Sequence, residues 1–171
     1  MACGITITGR AYPCKDGIGG IKKVWIAEYG TITWGDITSG AVTTVTETTP
    51  DIFGFEINRG AGSFAQAITA SRENGTIFYA QTLTFTMPKL VPADTAKVHD
   101  LLKSRLTVVV QDNNDNYLIM GYADGAEANG GEIATGTAKG DLNGYSIELM
   151  AEEGLPAPHL TDLTILDFVD A

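Results

Sequence analysis

Residues 63–87 read SFAQAITASRENGTIFYAQTLTFTM, and this stretch decides the fold class. Two runs rich in Thr, Ala, Ile and aromatic residues flank the turn sequence SRENG. Asn74-Gly75 is a strong hairpin signal, because both central positions of a type I′ turn need positive φ, which Asn and Gly tolerate. The sequence therefore predicts a long β-hairpin, with a second strand that exceeds the usual length of about five or six residues.

The second strand of this hairpin has two different faces, because successive side chains of a strand point to opposite sides. One face is apolar, and the other is neutral and rich in hydroxyl groups, with Phe78 as an exception. The apolar face carries Ile77, Tyr79, Leu83, Phe85 and Met87, and the other carries Thr76, Ala80, Thr82, Thr84 and Thr86. A hairpin of this length needs a surface to lie on, and a neighbouring subunit is the candidate.

Most of the remaining chain is also typical of strands. The predicted strands are 22–29, 32–38, 41–48 (after a turn at Ser39-Gly40), 51–58, 106–111, 117–122, 131–139, 145–151 and a closing strand over 160–169. One helix is predicted over about 93–104, where Val98, Leu101, Leu102 and Leu106 recur at helical spacing and Asp94 is placed as its N-cap. We therefore predict a mainly β fold: a β-sandwich or barrel of antiparallel strands with a long hairpin and one flanking α-helix.

The composition bounds the number of domains and the class of partner. A chain of 171 residues with 44% hydrophobic residues can bury one core, and no repeat or Pro-rich linker divides it. We expect a single β domain over 1–171, with a flexible N-terminal segment (1–20) and a flexible loop (35–49).

The net charge of −10 argues against a nucleic-acid binder, whose phosphate contacts need Lys and Arg. We expect no membrane association either, since no apolar stretch approaches about 20 residues, and without a signal sequence the protein would be made in the cytoplasm.

No motif of the sequence indicates catalysis or a cofactor. The run Asp112-Asn113-Asn114-Asp115-Asn116 resembles the start of a calcium loop, but it lacks the Gly and Glu that complete one, so a hairpin turn is the better interpretation. The glycine clusters at 17–20 and 60–62 complete no phosphate-binding motif. Glu152-Glu153 is interpreted as a pair of solvated edge or interface charges. His99 and His159 have no nucleophile placed by any motif, so we expect no enzymatic activity, no cofactor and no metal site.

The cysteines and tryptophans leave alternatives open. Cys3 and Cys14 are read as free or buried thiols, with a bridge between them or a metal site as alternatives. Trp25 and Trp34 are read as core or interface anchors, with a carbohydrate platform as the alternative.

Two stretches in the second half carry a resemblance to a known family. Residues 108–121 read VVVQDNNDNYLIMG, and residues 134–149 read ATGTAKGDLNGYSIEL, followed by Glu152-Glu153 and the segment PAP at 156–158. A Thr/Gly-rich strand, a turn and a strand that ends in acidic residues, after a long hairpin and a helix, resemble phage tail tube proteins and their relatives in contractile injection systems. The resemblance extends from about residue 53 onward.

The resemblance implies a function and a set of partners. Such subunits form hexameric rings that stack into a tail tube, assembled around a tape-measure protein in the host bacterial cytoplasm and bounded by tail terminator and baseplate proteins in the virion. DNA then passes through as cargo without specific binding. The residues expected at the inter-subunit or lumen hairpin are Phe64, Ile68, Asn74, Gly75, Ile77, Tyr79, Thr82, Thr84 and Thr86.

Other functions remain open at this stage. The chain could be another virion protein, namely a tail terminator, a connector or baseplate ring, or a capsid decoration. A carbohydrate-binding or adhesin β-sandwich is the alternative from a different class, and it would require Trp25 or Trp34 to be exposed.

Overall fold

Two packed sheets and one helix organise the described residues, 9–47, 52–163 and 166, in this computed structural model. Strands make up 50% of the structure and helix 7%, which confirms the mainly β fold. The elements are β1 (Ile21–Glu28), β2 (Ile32–Trp34), β3 (Ile37–Thr38), β4 (Ala41–Val42), β5 (Val45–Glu47), β6 (Phe53–Glu56), β7 (Gly62–Ser71), β8 (Thr76–Pro88), α1 (Pro92–Leu101), β9 (Leu106–Asp112), β10 (Tyr117–Met120), β11 (Glu127–Ala134), β12 (Gly144–Glu153) and β13 (His159–Leu160).

The strands form a larger and a smaller sheet, without a closed barrel among the described residues. The seven-stranded sheet has the order β3-β4-β13-β10-β9-β1-β6, and the four-stranded sheet has the order β11-β12-β8-β7. Pairing is antiparallel throughout these two sheets except between β4 and β13, which run parallel. Strands β2 and β5 form a separate two-stranded ribbon.

The seven-stranded sheet is covered on both faces. Its strand β9 carries the continuous apolar run Val108-Val109-Val110, all of it buried, as expected for a strand with packing on each side. Val108 and Val110 belong to the core between the two sheets, whereas Val109 packs on the far side with Trp25 and Ile119. The larger sheet is thus the middle layer of the fold.

Among the described residues, the four-stranded sheet is covered on one of its faces only. Along β8 the side chains of Leu83 and Phe85 are fully buried, while the neighbouring Thr82 and Thr84 remain partly exposed. The alternation predicted for this strand is therefore present over its second half. Near the tip of the hairpin, side chains on the same face as Leu83 and Phe85 are exposed to solvent. Ile77 there keeps 56% of its surface accessible.

The turn of the long hairpin lies in the predicted segment but has a different geometry. Ser71 pairs with Thr76, so a four-residue loop, 72–75, joins the strands. The loop therefore lies within the turn sequence predicted at 71–75. Only Gly75 in it has a positive φ, of 64°, so Asn74 and Gly75 are not the central pair of a type I′ turn. The predicted turn at Ser39-Gly40 has that geometry instead, with φ values of 53° and 81° between β3 and β4.

The helix also differs in detail from its prediction. It ends at Leu101 rather than at 104, and its N-cap is Val91, which makes no side-chain capping bond, so Asp94 lies in the first turn. Val98 is buried against the core, but Leu102 is 40% exposed and Leu106 begins β9. The helix is held to the smaller sheet by a 2.6 Å hydrogen bond between the hydroxyl groups of Thr95 and Tyr145.

Other predicted boundaries shift. The predicted strand 32–38 is interrupted between β2 and β3, the predicted strand 41–48 between β4 and β5, and β11 begins at Glu127 rather than at 131. Residues 9–20 contain no strand or helix and are exposed, while 1–8, 48–49 and most of the predicted closing strand after β13 lie outside the described residues. In the described part of the chain, no helix is long and apolar enough to cross a membrane.

The one-sided burial of β8 predicts unequal effects of two neighbouring substitutions. Leu83→Ala should lower the free energy of unfolding by about 2–5 kcal/mol, because it leaves a cavity between the sheets. Thr84→Ala, one residue further along on the opposite face, should cost less than about 1 kcal/mol. Urea denaturation measures both, and equal losses would contradict the assignment of the two faces.

Candidate functional site

The outer side of the four-stranded sheet is a broad surface with no covering layer among the described residues, and we call it the open face. The strand registers define it, since Thr84 pairs with Ser63 on one side and with Glu148 on the other. It consists of small, hydroxylated and acidic side chains with two larger apolar ones, namely Ser63, Ala65, Ala67, Thr69, Thr76, Phe78, Ala80, Thr82, Thr84, Thr86, Glu127, Glu132, Ser146, Glu148, Met150 and Glu152.

The charge of the open face has one sign. Strands β7, β8, β11 and β12 contain no Lys or Arg, and they contain five Glu. Four of these carboxylates lie on the open face. At its β11 edge, Arg105 Nε approaches Glu127 Oε1 to 3.5 Å, and the Asn129 amide donates a hydrogen bond to Glu148. Such a surface repels polyanions, and its four strands offer no cation for a phosphate, since Arg105 lies at the edge beside Glu127.

The open face is bordered by two edge strands. Strands β7 and β11 are the ends of the four-stranded order, so each has one side without a strand partner in the described structure. Strand β7 is exposed along most of its length. Unpaired edges of this kind are templates for strand addition by another chain.

The hairpin tip extends past the packed part of the sandwich. On its inward-pointing side, Ile68 pairs with Tyr79, and Ile68 is 67% exposed, although the register places it on the same face as buried Leu83. Ile77 is exposed beside it. The apolar face of the hairpin therefore packs against the subunit's own core along the second half of β8 and is exposed at the tip.

The structure distributes the predicted site residues over three places. One packs against the core, five lie at the hairpin tip, and three lie on the open face. These are Phe64 in the core; Ile68, Asn74, Gly75, Ile77 and Tyr79 at the tip; and Thr82, Thr84 and Thr86 on the open face. They do not converge on a pocket, and no group of side chains in the described residues could hold a metal ion.

A belt of polar side chains, half-buried Gln66 with buried Gln81 and Glu153, separates the hairpin tip from the core. Gln66 Oε1 accepts a hydrogen bond from the Ala157 N–H at 2.8 Å, and Gln81 Oε1 accepts one from the Gly121 N–H at 3.3 Å. Because Gln66 and Gln81 are paired across the hairpin, they tie its base to two loops of the larger sheet. These bonds fix where the packed sandwich ends and the free tip begins.

Glu153 completes this belt, and its interpretation as a solvated charge is wrong. It is 3% exposed, and its carboxylate accepts hydrogen bonds from the N–H groups of Ala123, at 3.1 Å, and Asp124, at 3.0 Å. Burial raises the pKa of Glu153 above its ordinary value of 4.5, and the backbone donors oppose this rise without cancelling it. The sequence held the signal, since two adjacent residues of a strand point to opposite faces and only Glu152 could stay outside.

The acidic turn at 112–116, after β9, is hydrogen-bonded to the backbone of the segment that precedes β1. Asp112 Oδ1 accepts hydrogen bonds from the N–H groups of Asn114 and Asn116, each at 2.8 Å. Asn114 in turn bonds both the N–H and the C=O of Ile18, and Asn113 donates to the Gly19 carbonyl. Partial burial alone would raise the pKa of Asp112, but the hydrogen bonds from Asn116 and Asn114 outweigh it and lower the pKa. The turn predicted here is confirmed, and its hold on 18–20 was missed.

The side chains considered for other functions are placed as follows. Trp25 is 4% exposed in the core, and Trp34 is partly buried, so neither forms an open platform for a sugar. Cys14 is exposed, and Cys3 lies outside the described residues.

Comparison with protein-family models, with curated proteins and with solved structures finds no match to this chain.

Glu153 and Asp112 predict opposite pH dependences of stability. The raised pKa of Glu153 means that its contribution is fully present below the unfolded value of 4.5 and is lost as pH rises through the folded value. The lowered pKa of Asp112 means that its contribution is present above 3.8 and is lost as pH falls.

Urea denaturation at several pH values tests both signs. Relative to the native chain, Glu153→Gln should gain stability as pH rises from about 4 to about 7, whereas Asp112→Asn should lose stability as pH rises from about 2 to about 4. Trends of the same sign in the two variants would contradict these assignments.

Proposed function

We propose that this chain is the subunit of a phage-type tail tube, which assembles into hexameric rings that stack around a channel for DNA. The proposal rests on the sheet face that no described residue covers, which is acidic and hydroxyl-rich and ends on each side in a strand with one free edge among the described residues. The other sheet is covered on both faces, which leaves the open face as the broad surface available to a channel.

Edge-to-edge pairing would close the ring. The free side of β7 in one subunit would add to the free side of β11 in the next, and each subunit would contribute four strands to a continuous barrel. Closure satisfies the backbone groups that both edges leave unpaired in a monomer. A head-to-tail contact of this kind joins two different surfaces, so it forms a closed ring when the rotation per subunit divides a full turn.

The hairpin tip would supply apolar contact to the ring. Ile68 and Ile77 are large apolar side chains exposed on one side of the tip. Burial of about 100 Å² of apolar surface stabilises an interface by about 2.5 kcal/mol, so covering both side chains on each of six tips favours assembly strongly. A neighbouring subunit is the occupant that the ring provides.

The charge of the open face suits a conduit. With Glu148 and Glu152 turned toward the channel and no Lys or Arg on the four strands, phosphates meet no binding site along the wall. Small Thr, Ser and Ala side chains between the carboxylates leave few protrusions. A polyanion would therefore slide through the channel without being held.

The proposal implies further partners, and it assigns no catalytic step, cofactor or membrane contact. A tape-measure protein would fill the channel during assembly in the host cytoplasm, and terminator and baseplate proteins would bound the tube in the virion. Another virion ring or a capsid decoration remains the second candidate, and symmetry and stacking distinguish it from a tube.

Negative-stain electron microscopy of the purified, concentrated chain tests the proposal. We expect hollow six-fold rings and stacked tubes. Ile68→Lys and Ile77→Lys should leave the far-ultraviolet circular dichroism spectrum unchanged, because both side chains are exposed, and should abolish ring formation. Thr33→Lys, an exposed position on β2 away from the open face, is the matched control and should assemble normally.

The outcomes separate the candidates. Rings that never stack would replace the tube with a terminator or connector ring. A trimer or a monomer at every concentration, with or without the substitutions at the tip, would contradict the proposal and favour a decoration protein.

A further inference from the structure

The chain contains three Asn-Gly pairs, and the structure holds each of them differently. They are Asn74-Gly75, Asn129-Gly130 and Asn143-Gly144. In such a pair the backbone nitrogen of the glycine can reach the side-chain carbonyl carbon of the asparagine, because no Cβ shields that nitrogen. Whether the reaction proceeds in a folded protein depends on how freely both groups move.

We propose that Asn74 is a site of selective spontaneous deamidation, which makes the hairpin tip more acidic with time. The Gly75 nitrogen loses its proton and forms a bond to Asn74 Cγ. The bond from Cγ to the side-chain nitrogen breaks, and ammonia leaves with that proton. Water then opens the succinimide ring at either carbonyl to give aspartate or isoaspartate, so the overall change consumes one water and releases one ammonia.

Asn74-Gly75 has the freedom that this reaction needs. Both residues are exposed in the four-residue loop, and a Cβ built on Gly75 would meet nothing within 4 Å. The Asn74 N–H donates to Ser71 Oγ at 3.3 Å, but its side-chain amide makes no hydrogen bond within the described residues. Rotation about the Asn74 side chain therefore breaks no contact.

Asn143-Gly144 is held in place. The Asn143 carbonyl accepts the Lys89 N–H, and its Oδ1 accepts the Leu90 N–H at 3.2 Å. Gly144 is buried and paired with Pro88, and a Cβ there would lie 2.1 Å from the Met87 carbonyl oxygen. Cyclisation at this pair requires the end of β12 to separate from β8 first.

Asn129-Gly130 is less free to move than Asn74-Gly75 and less restrained than Asn143-Gly144. Its residues are exposed at a register shift in β11, but the Asn129 amide donates to Glu148 and Gly130 is paired with Glu148 in the ladder. The adjacent carboxylate also disfavours loss of a proton from the Gly130 nitrogen, since two negative charges would then lie close together.

The product would change the surface of the tip. Each event adds one negative charge to a chain of net charge −10, beside Glu73 and close to Arg72. Isoaspartate also inserts a methylene group into the backbone of the loop that closes the Ser71–Thr76 pair. If the tip is covered by a neighbouring subunit, a step that rests on the proposed function, assembly should slow the reaction.

Peptide mapping by mass spectrometry of the full chain, incubated folded in mildly alkaline buffer, tests the inference. The loss of ammonia and gain of water should appear at Asn74 at least about tenfold faster than at Asn143, because the latter must first break its hydrogen bonds. In concentrated urea the three sites should react at similar rates. Asn74→Gln, an exposed and tolerated change, should remove the main acidic species from ion-exchange profiles.

Two results would overturn the inference. One is modification of Asn129 or Asn143 as fast as Asn74 in the folded chain, and the other is persistence of the main acidic species in Asn74→Gln. Comparison of free subunits with assembled particles is a separate readout. Fast deamidation in the free subunit that continues unchanged after assembly would leave Asn74 as the modified site and contradict the covered tip.

Discussion

The burial of Leu83 and Phe85 on one side of β8, with Thr82 and Thr84 on the other, is the constraint on which the rest of the structure depends. A shift of this strand by one residue would place the hydroxyl groups of Thr82, Thr84 and Thr86 in the core and expose the apolar side chains, so the register is strongly specified. Because β8 lies between β7 and β12, its register also fixes their faces. The open face exists because β8 has one apolar, buried face and one polar face.

The fold class was predictable because it depends on local patterns. The alternation along 76–87 and the helical spacing around Val98 are periods that a sequence shows directly, and the continuous apolar run at 106–111 is a local pattern as well. The details that failed are those that depend on neighbours. The segment of the hairpin turn was predictable, but its geometry follows from the pairing of Ser71 with Thr76, which a local window does not show. The helix end at Leu101 was missed because Leu102 and Leu106 continue the helical spacing of the sequence.

The candidate surface was predictable in part. The hydroxyl-rich side of β8 was visible in the sequence, but the contribution of β11 and β12 to the same face is set by long-range pairing. Gln66, Gln81 and Glu153 were missed for the same reason, since their partners are backbone groups of loops brought near only by folding. Ile68 is exposed because the packed core ends at these polar side chains and the hairpin continues beyond them.

A cryo-electron microscopy reconstruction of particles assembled from this chain would test the central claim most directly, because it locates β8 relative to the channel. We expect six-fold symmetry, with Thr82, Thr84 and Glu148 facing the channel and β7 of each subunit hydrogen-bonded to β11 of the next. A reconstruction with the open face on the outer surface, or with a channel lined by the seven-stranded sheet, would contradict it.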